Sequence, residues 1–86
     1  MKLRIYSLKN VLYQGDAVSL NCSTVSGDIT VLDNHRPLIS VLTGSTMSIK
    51  NTDGTDNYIP IRSGFLEVKG TNEVRVLVEE DPKPEH

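Results

Sequence analysis

Cysteine and histidine are the residue types in this sequence that could most readily act as nucleophiles or metal ligands. They are few, because the chain contains only Cys22, His35 and His86. The two histidines are far apart, and they are poorly accompanied by cysteine or carboxylate at the spacing of a zinc site. Cys22 alternates with Val18 and Leu20 along one predicted strand, which indicates a small buried hydrophobic side chain. The sequence therefore predicts no metal site and no reactive thiol.

Serine and glycine motifs add no chemistry. No serine occupies the G-x-S-x-G elbow of a hydrolase, and the glycines form neither a dinucleotide-binding fingerprint nor a phosphate-binding loop. Each of five glycines is instead predicted to form a turn: Gly27, Gly44, Gly54, Gly64 and Gly70. We predict a protein that is not an enzyme and that binds no cofactor.

Length and charge exclude several classes of partner. The 86 residues suffice for one domain, and nine Lys and Arg against eleven Asp and Glu give a formal net charge of -2. The basic residues are scattered singly among acidic ones, which argues against nucleic acid as a partner. No apolar stretch reaches the roughly 18 residues of a membrane span and no secretory leader is present, so direct membrane insertion is not expected. A single cysteine fits a reducing compartment such as the cytosol.

The elements that must position any site are predicted to be strands. The chain has one alanine but nine valines, six isoleucines and seven threonines. Val, Ile and Thr lose rotamer freedom in a helix and pack well on a pleated sheet. Residues 2–7 alternate apolar and polar side chains, and residues 73–78 do the same with Val74, Val76 and Val78 on the inner face.

Turn signals divide the chain into eight or more short strands, a pattern typical of a β-sandwich or small barrel. Asp53 and Gly54 predict a hairpin with a two-residue turn, and Pro60 places its strand at a sheet edge or bulge. Residues 33–37 are predicted to form an exposed loop, and residues 82–86 a solvated tail containing proline. The predicted core includes Val18, Leu20 and Cys22 of one strand and also Val41, Met47 and Ile49.

Four ordered motifs carry a resemblance to a known family. They are NVLYQGD, SGDITVLDNHRPL, RSGFLEV and VRVLV, at residues 10–16, 26–38, 62–68 and 74–78. Together they resemble the N-terminal domain of the epsilon subunit of rotary (F-type) ATP synthases, over residues 1 to about 80. Thr30 and Ser63 stand where the family usually has glycine, and Asp33 and Asn34 replace the usual proline and glycine before the histidine. Asn34 can still adopt a left-handed backbone, so we expect the loop path to be unchanged.

The resemblance implies an all-β fold, a β-sandwich of two five-stranded sheets with about ten short strands, over residues 1–81. It implies a non-catalytic subunit of the central stalk, which links the γ subunit to the membrane ring of c subunits and helps couple proton or sodium translocation to ATP synthesis. Such a subunit lies peripherally at the cytoplasmic face of the bacterial inner membrane, or at the thylakoid membrane of a chloroplast. The family's C-terminal helical hairpin has no counterpart in the sequence, so no nucleotide binding is expected.

The resemblance also implies two sets of contact residues. Asp28 stands at the ring-facing acidic position, where it can meet the basic polar loop of a c subunit, and Asn34 and His35 are expected to lie beside it. Ile39 and Ser40 fall where family members touch γ. The residues alone leave other interpretations open, because Asp28 could simply form a turn, His35 could order its loop by a backbone hydrogen bond, and Ile39 could belong to the core.

A different class of protein remains as the alternative to a rotor subunit. A free-standing β-sandwich recognition module would bind carbohydrate or a peptide through its loops. Modules of that kind usually expose aromatic side chains. The chain has one phenylalanine and three tyrosines, and Phe65 and Tyr58 are expected to be core or cross-strand residues, which weighs against this class.

Overall fold

β-strands are the only regular secondary structure in the part of the chain that the structure describes, residues 1–80 of a computed structural model. The strands are β1 (Lys2–Tyr6), β2 (Val11–Thr24), β3 (Gly27–Leu32), β4 (Leu38–Leu42), β5 (Ser45–Asn51), β6 (Asp56–Lys69) and β7 (Glu73–Glu80). The tail predicted at residues 82–86 lies outside the described residues. Residues 1–80 contain no helix with the length and apolar character needed to cross a membrane.

Two strands, β2 and β6, are each 14 residues long and take part in both layers of the fold. The first part of β2 pairs with β1, and its second part pairs with β3 and β5. The first part of β6 pairs with β5, and its second part pairs with β4 and β7. One layer therefore has the strand order β2-β1-β7-β6-β4, and the other has the order β3-β2-β5-β6. We call them the five-stranded layer and the four-stranded layer.

The prediction of an all-β sandwich is confirmed, but the expected count of about ten short strands in two five-stranded sheets is wrong. There are seven strands because β2 and β6 continue through residues 14–16 and 63–64, where turns were predicted. The pairing of β2 with β5 shifts register between Ala17 and Ser19, and the pairing of β6 with β7 shifts register between Ile61 and Ser63. A bulge of this kind bends a strand without ending it, so each long strand passes from one layer to the other.

The core lies between the two layers and follows the predicted alternation. Leu20 and Cys22 of β2 and Met47 and Ile49 of β5 are fully buried, as predicted. Both layers contribute to a single cluster of buried residues: Met1, Leu3, Ile5, Ala17, Leu20, Cys22, Val31, Leu42, Met47, Ile49, Ile61, Leu66, Val68, Val74, Val76 and Val78. Because neighbouring strands bury alternate residues, the intervening side chains form the two outer faces of the sandwich.

Two predicted core residues lie on the outside instead. Val18 is exposed because the pairing of β2 with β5 shifts register between Ala17 and Ser19, which breaks the period-two pattern at that point. Val41 is exposed because it lies on the outer side of β4, opposite Phe65 of β6.

The β5–β6 hairpin is present, but its loop is longer than predicted. Four residues rather than two separate the strands, and Gly54 has a φ of 90°. The side chain of Asp53 accepts a hydrogen bond from the Thr55 amide at 2.9 Å, which stabilises the longer loop. Pro60 lies in the part of β6 that pairs with β5 alone, so its prediction as an edge residue is confirmed.

Candidate functional site

Asp28 lies at the start of β3, directly after the turn that joins it to β2. Gly27 has a φ of 118°, and its carbonyl accepts a 2.7 Å hydrogen bond from the Thr24 hydroxyl, so the turn is closed by a nearly buried side chain. The exposed Asp28 carboxylate accepts one hydrogen bond, from the Ser23 hydroxyl at 2.7 Å. Its other oxygen is oriented by this contact and is available to a partner.

Asn34 and His35 belong to the loop between β3 and β4. Asn34 has a φ of 60°, which confirms the expected left-handed backbone, and its amide donates to the Asn72 side chain at 2.7 Å. The His35 amide donates to the Leu32 carbonyl at 3.2 Å, and its Nδ1 lies 2.8 Å from the Arg36 carbonyl. His35 therefore orders the loop through its contacts with the backbone carbonyls of Leu32 and Arg36.

The expectation that His35 lies beside Asp28 is wrong. Asp28 is at the first end of β3 and pairs with Ser23, whereas His35 is bound to Leu32 at the far end of that strand. Four residues of extended strand separate Asp28 from Leu32, a distance of about 13 Å. The turn holding Asp28 and the loop holding Asn34 and His35 are therefore two separate surfaces.

Ile39 and Ser40 lie on β4, at the edge of the five-stranded layer, and they face opposite sides of it. Ile39 is 76% exposed, so it is not a core residue. Ser40 is half-buried and pairs with the buried Leu66 on β6. A partner that lies flat on the outer face would contact the Ile39 side chain but not that of Ser40.

The outer face of the five-stranded layer carries a continuous line of apolar side chains that the sequence prediction missed. Cross-strand pairing places one such residue from each strand side by side: Val41, Phe65, Leu77, Tyr6 and Val11, in that order. We call these five residues the outer apolar row. Phe65 is 56% exposed and Val11 61%, while Tyr6 and Leu77 are partly exposed. Exposed apolar groups in contact with one another are typical of protein interaction surfaces.

The signal for this row was present in the strand pattern. Tyr6 follows Lys2 and Arg4 in the outward phase of β1, and Leu77 follows outward polar residues in β7. Each is an apolar residue at a position where a solvated sheet face calls for a polar one. Phe65 and Tyr58 were expected to be core or cross-strand residues. They are not core residues, since both are exposed, but both are cross-strand residues: Phe65 pairs with Val41 and Leu77, and Tyr58 pairs with Ser48 on the four-stranded layer.

Cys22 is 1% exposed, which confirms its prediction as a buried hydrophobic group. Burial raises the pKa of its thiol to about 11, with a smaller contribution from the Asp28 carboxylate. At pH 8 the native thiol is therefore ionised in only about one molecule in a thousand. We expect no reaction with a thiol-specific disulfide reagent over minutes at pH 8, and complete reaction in denaturing urea. Rapid stoichiometric labelling of the native chain would contradict the burial of this side chain.

The described surfaces hold few groups that could bind a metal ion. Among residues 1–80 no three His, Cys, Asp or Glu side chains lie close enough together to hold a metal ion.

The fold and the exposed faces together show the class of protein: a small two-layer β-sandwich domain with an apolar row on one outer face. A sequence model of the family described as "ATP synthase, Delta/Epsilon chain, beta-sandwich domain" matches residues 1–81. The chain belongs to this family.

Individual relatives agree with the family assignment. The ATP synthase epsilon chain of Psychrobacter cryohalolentis is 33% identical over 69 residues, which are 80% of this chain and 50% of the relative. That of Endomicrobium trichonymphae is 35% identical over 78 residues, 91% of this chain and 55% of the relative. The chain thus spans about half the length of the curated relatives it matches.

Solved structures show the same fold. A chain of the Euglena gracilis mitochondrial ATP synthase, in a complex of OSCP, F1 and c-ring, superimposes with a TM-score of 0.88 and 20% identity. That match covers 93% of this chain and 51% of the other. A chain from the central stalk and c-ring of the Tetrahymena thermophila mitochondrial ATP synthase gives a TM-score of 0.81 at 12% identity, covering 92% and 63%.

Proposed function

We propose that this chain is a non-catalytic rotor subunit of a proton- or sodium-driven ATP synthase. It links the γ subunit to the ring of c subunits and helps couple ion translocation to ATP synthesis, peripherally at the cytoplasmic face of a bacterial inner membrane. Membership of the delta/epsilon-chain family supports this function. The single observation that carries it is the outer apolar row, because a free domain gains nothing by exposing five adjacent apolar side chains, whereas a subunit interface buries them.

Resistance to deformation is the mechanical property that a rotor subunit requires. Because β2 and β6 form backbone ladders in both layers, the layers cannot slide past one another without breaking hydrogen bonds. The core between them is filled by side chains from both layers, and such interiors are packed as densely as organic crystals. Torque applied at one surface of the domain is therefore transmitted to another with little loss.

The γ subunit is proposed to lie on the outer face of the five-stranded layer. The outer apolar row crosses that face from strand to strand, and Ile39 adds a further exposed apolar group beside it on β4. Ser40, on the inner side of β4, would contribute to γ binding only through the exposed edge of that strand. Phe65 is the exposed aromatic side chain of this surface that has no polar group, and it lies between Val41 and Leu77.

The c-ring is proposed to contact the turn at Asp28, where an oriented carboxylate meets a basic polar loop. Asn34 and His35, at the other end of β3, belong to the same interface only if the ring contact extends along the length of that strand. The three residues can therefore be tested separately.

Replacing Asp28 by arginine is expected to weaken attachment to the c-ring about tenfold and to lower ATP-driven proton pumping, since a carboxylate facing basic groups becomes a like charge. The exposed position leaves the isolated fold intact. Asp28→Asn is the matched control, because its side-chain oxygen can still accept the Ser23 hydrogen bond while the charge is lost. Pumping by reassembled complexes measures the effect, and equal coupling in the wild type and Asp28→Arg would remove Asp28 from the interface.

Co-purification with the γ subunit tests the function as a whole. The tagged chain and γ are produced together and isolated through the tag, with γ alone as the background control. A stoichiometric complex is expected, because no segment of residues 1–80 covers the exposed side chains of the outer apolar row and γ would bury them. Failure to retain γ, with both proteins soluble and folded, would overturn the proposed function.

A further inference from the structure

We propose that Arg4 and Arg75 form a carboxylate-binding pair, which recognises an acidic segment of the γ subunit as it docks on the outer apolar row. This inference rests on the proposed function and adds to it the chemistry of the docking partner. An element that fits this face would present an apolar stripe and, beside it, one or more Asp or Glu side chains.

Arg4 and Arg75 are direct neighbours on the outer face. β1 and β7 run parallel, and their register places Arg4 opposite Arg75, with backbones about 5 Å apart. The next outward pair along the same two strands is Tyr6 and Leu77, the middle of the outer apolar row. A partner lying on that row therefore reaches the two guanidinium groups without leaving the face.

Within residues 1–80 neither arginine forms an ion pair shorter than 4 Å. Among residues 1–80, carboxylates form ion pairs within 4 Å only with the Met1 amino group and with Lys50. The other cross-strand neighbour of Arg4 is the neutral Gln14, and that of Arg75 is Glu67, whose carboxylate does not come within 4 Å of it. Like charges directly opposite one another destabilise a sheet, and a carboxylate placed between them removes that cost.

Two residues along the same strands from the arginine pair, a row of charged side chains on the same face is balanced. Lys69, Glu73, Lys2 and Asp16 follow one another in the strand pairing, so charges of opposite sign alternate across four strands and cancel. A hydrogen bond from Thr71 is the largest cause of the lowered pKa of Glu73, and the nearby Lys69, Lys2 and Arg75 lower it further. The row of the arginine pair runs Glu67, Arg75, Arg4 and Gln14, so it places two positive charges side by side and carries one surplus positive charge.

The surface around Arg4 is shaped to receive a segment of chain. Arg4 separates two open hollows, one of about 440 Å³ that also touches Arg75 and Gln14, and one of about 280 Å³ beside Tyr6 and Leu8. Side chains of a partner can enter either hollow while a carboxylate meets the guanidinium groups between them. Arginine suits this role because its planar group binds a carboxylate through two parallel hydrogen bonds.

An acidic protein segment fits better than a membrane surface. Glu67, Glu73 and Asp16 lie on the same outer face as the arginine pair. These carboxylates repel a continuous anionic layer such as phospholipid headgroups, but they leave room for a single carboxylate aimed at the pair.

The test is binding of the full chain to purified γ subunit of the same organism's ATP synthase, measured by calorimetry at low and moderate salt. Arg4→Gln and Arg75→Gln are each expected to weaken binding about tenfold and to reduce its dependence on salt. Arg62→Gln is the matched control, because Arg62 is exposed and lies outside this face. Thermal melts verify that each variant is folded.

The outcomes separate this inference from the proposed function. If wild-type chain does not bind γ, the proposed function itself fails. If γ binds and both arginine variants match Arg62→Gln in affinity and salt dependence, the carboxylate-binding pair is wrong while the proposed function stands. Vesicles containing anionic phospholipid provide the last comparison. If they bind the wild type but not the Arg4→Gln variant, and the variant binds γ as tightly as the wild type does, the arginine pair binds a lipid surface and the inference is overturned.

Discussion

Replacing Phe65 by threonine is expected to weaken binding of the chain to the γ subunit by about 2 kcal/mol, roughly thirtyfold. Phe65 is the largest wholly apolar side chain of the outer apolar row, and it lies between Val41 and Leu77, so a docked partner contacts it together with both neighbours. A few large side chains, aromatic ones among them, contribute most of the binding energy of an interface. Threonine retains the preference for strand backbone, so the change removes contact area rather than local structure.

The matched control for Phe65→Thr is Tyr58→Thr. Tyr58 is 65% exposed, against 56% for Phe65, but it lies on the outer face of the four-stranded layer. Binding to γ is measured by calorimetry, with circular dichroism to check the fold of both variants. Equal losses for the two variants would mean that γ does not distinguish the two faces, and an unaltered affinity for Phe65→Thr would remove the outer apolar row from the interface.

The strands and most of the core could be predicted because both depend on local pattern. Alternation of apolar and polar residues identified β1 and β7 and the inward phase that buries Leu3, Ile5, Val74, Val76 and Val78. The period of two is set by strand geometry alone, so no knowledge of the neighbouring strands is needed.

The layer structure could not be predicted, because it depends on where a strand bends rather than where it ends. Glycine at positions 15 and 64 reads as a turn signal, yet both residues lie inside 14-residue strands. A bulge and a turn use the same residue types, and only the pairing of the neighbouring strands distinguishes them. The exposure of Val18 could not be predicted either, because it depends on the register shift between Ala17 and Ser19 in the pairing of β2 with β5.

The relative positions of surface residues could not be predicted from the sequence, because topology determines which of them lie close together. The family resemblance implied that Asp28 and His35 are close, but the extended β3 separates them. Four strand pairings bring the five residues of the outer apolar row together. Two of them, β1 with β2 and β6 with β7, join strands that are consecutive in the sequence, but the other two, β1 with β7 and β4 with β6, do not. A single sequence contains each residue of the row but not their adjacency.

Replacing Gly64 by alanine is expected to destabilise the domain by about 2–3 kcal/mol, since extra atoms forced into a packed region cost that much. A Cβ atom at this position would lie 2.6 Å from the Leu77 carbonyl oxygen and 3.2 Å from the Val78 Cα. Both atoms belong to the β7 backbone, which pairs directly with β6 and cannot retreat without breaking the ladder. For a domain of this size the melting temperature should fall by about 10 °C or more.

Gly70→Ala is the control for Gly64→Ala, because a Cβ at Gly70 would meet only the Pro37 side chain, at an ordinary contact distance of 3.5 Å. Thermal and urea unfolding of both variants measure the difference. Since the two substitutions change the unfolded chain alike, the difference between them isolates the collision with β7. Equal stabilities would mean that β6 and β7 can separate locally, and the RSGFLEV motif would then need another reason for its glycine than the close approach of these two strands.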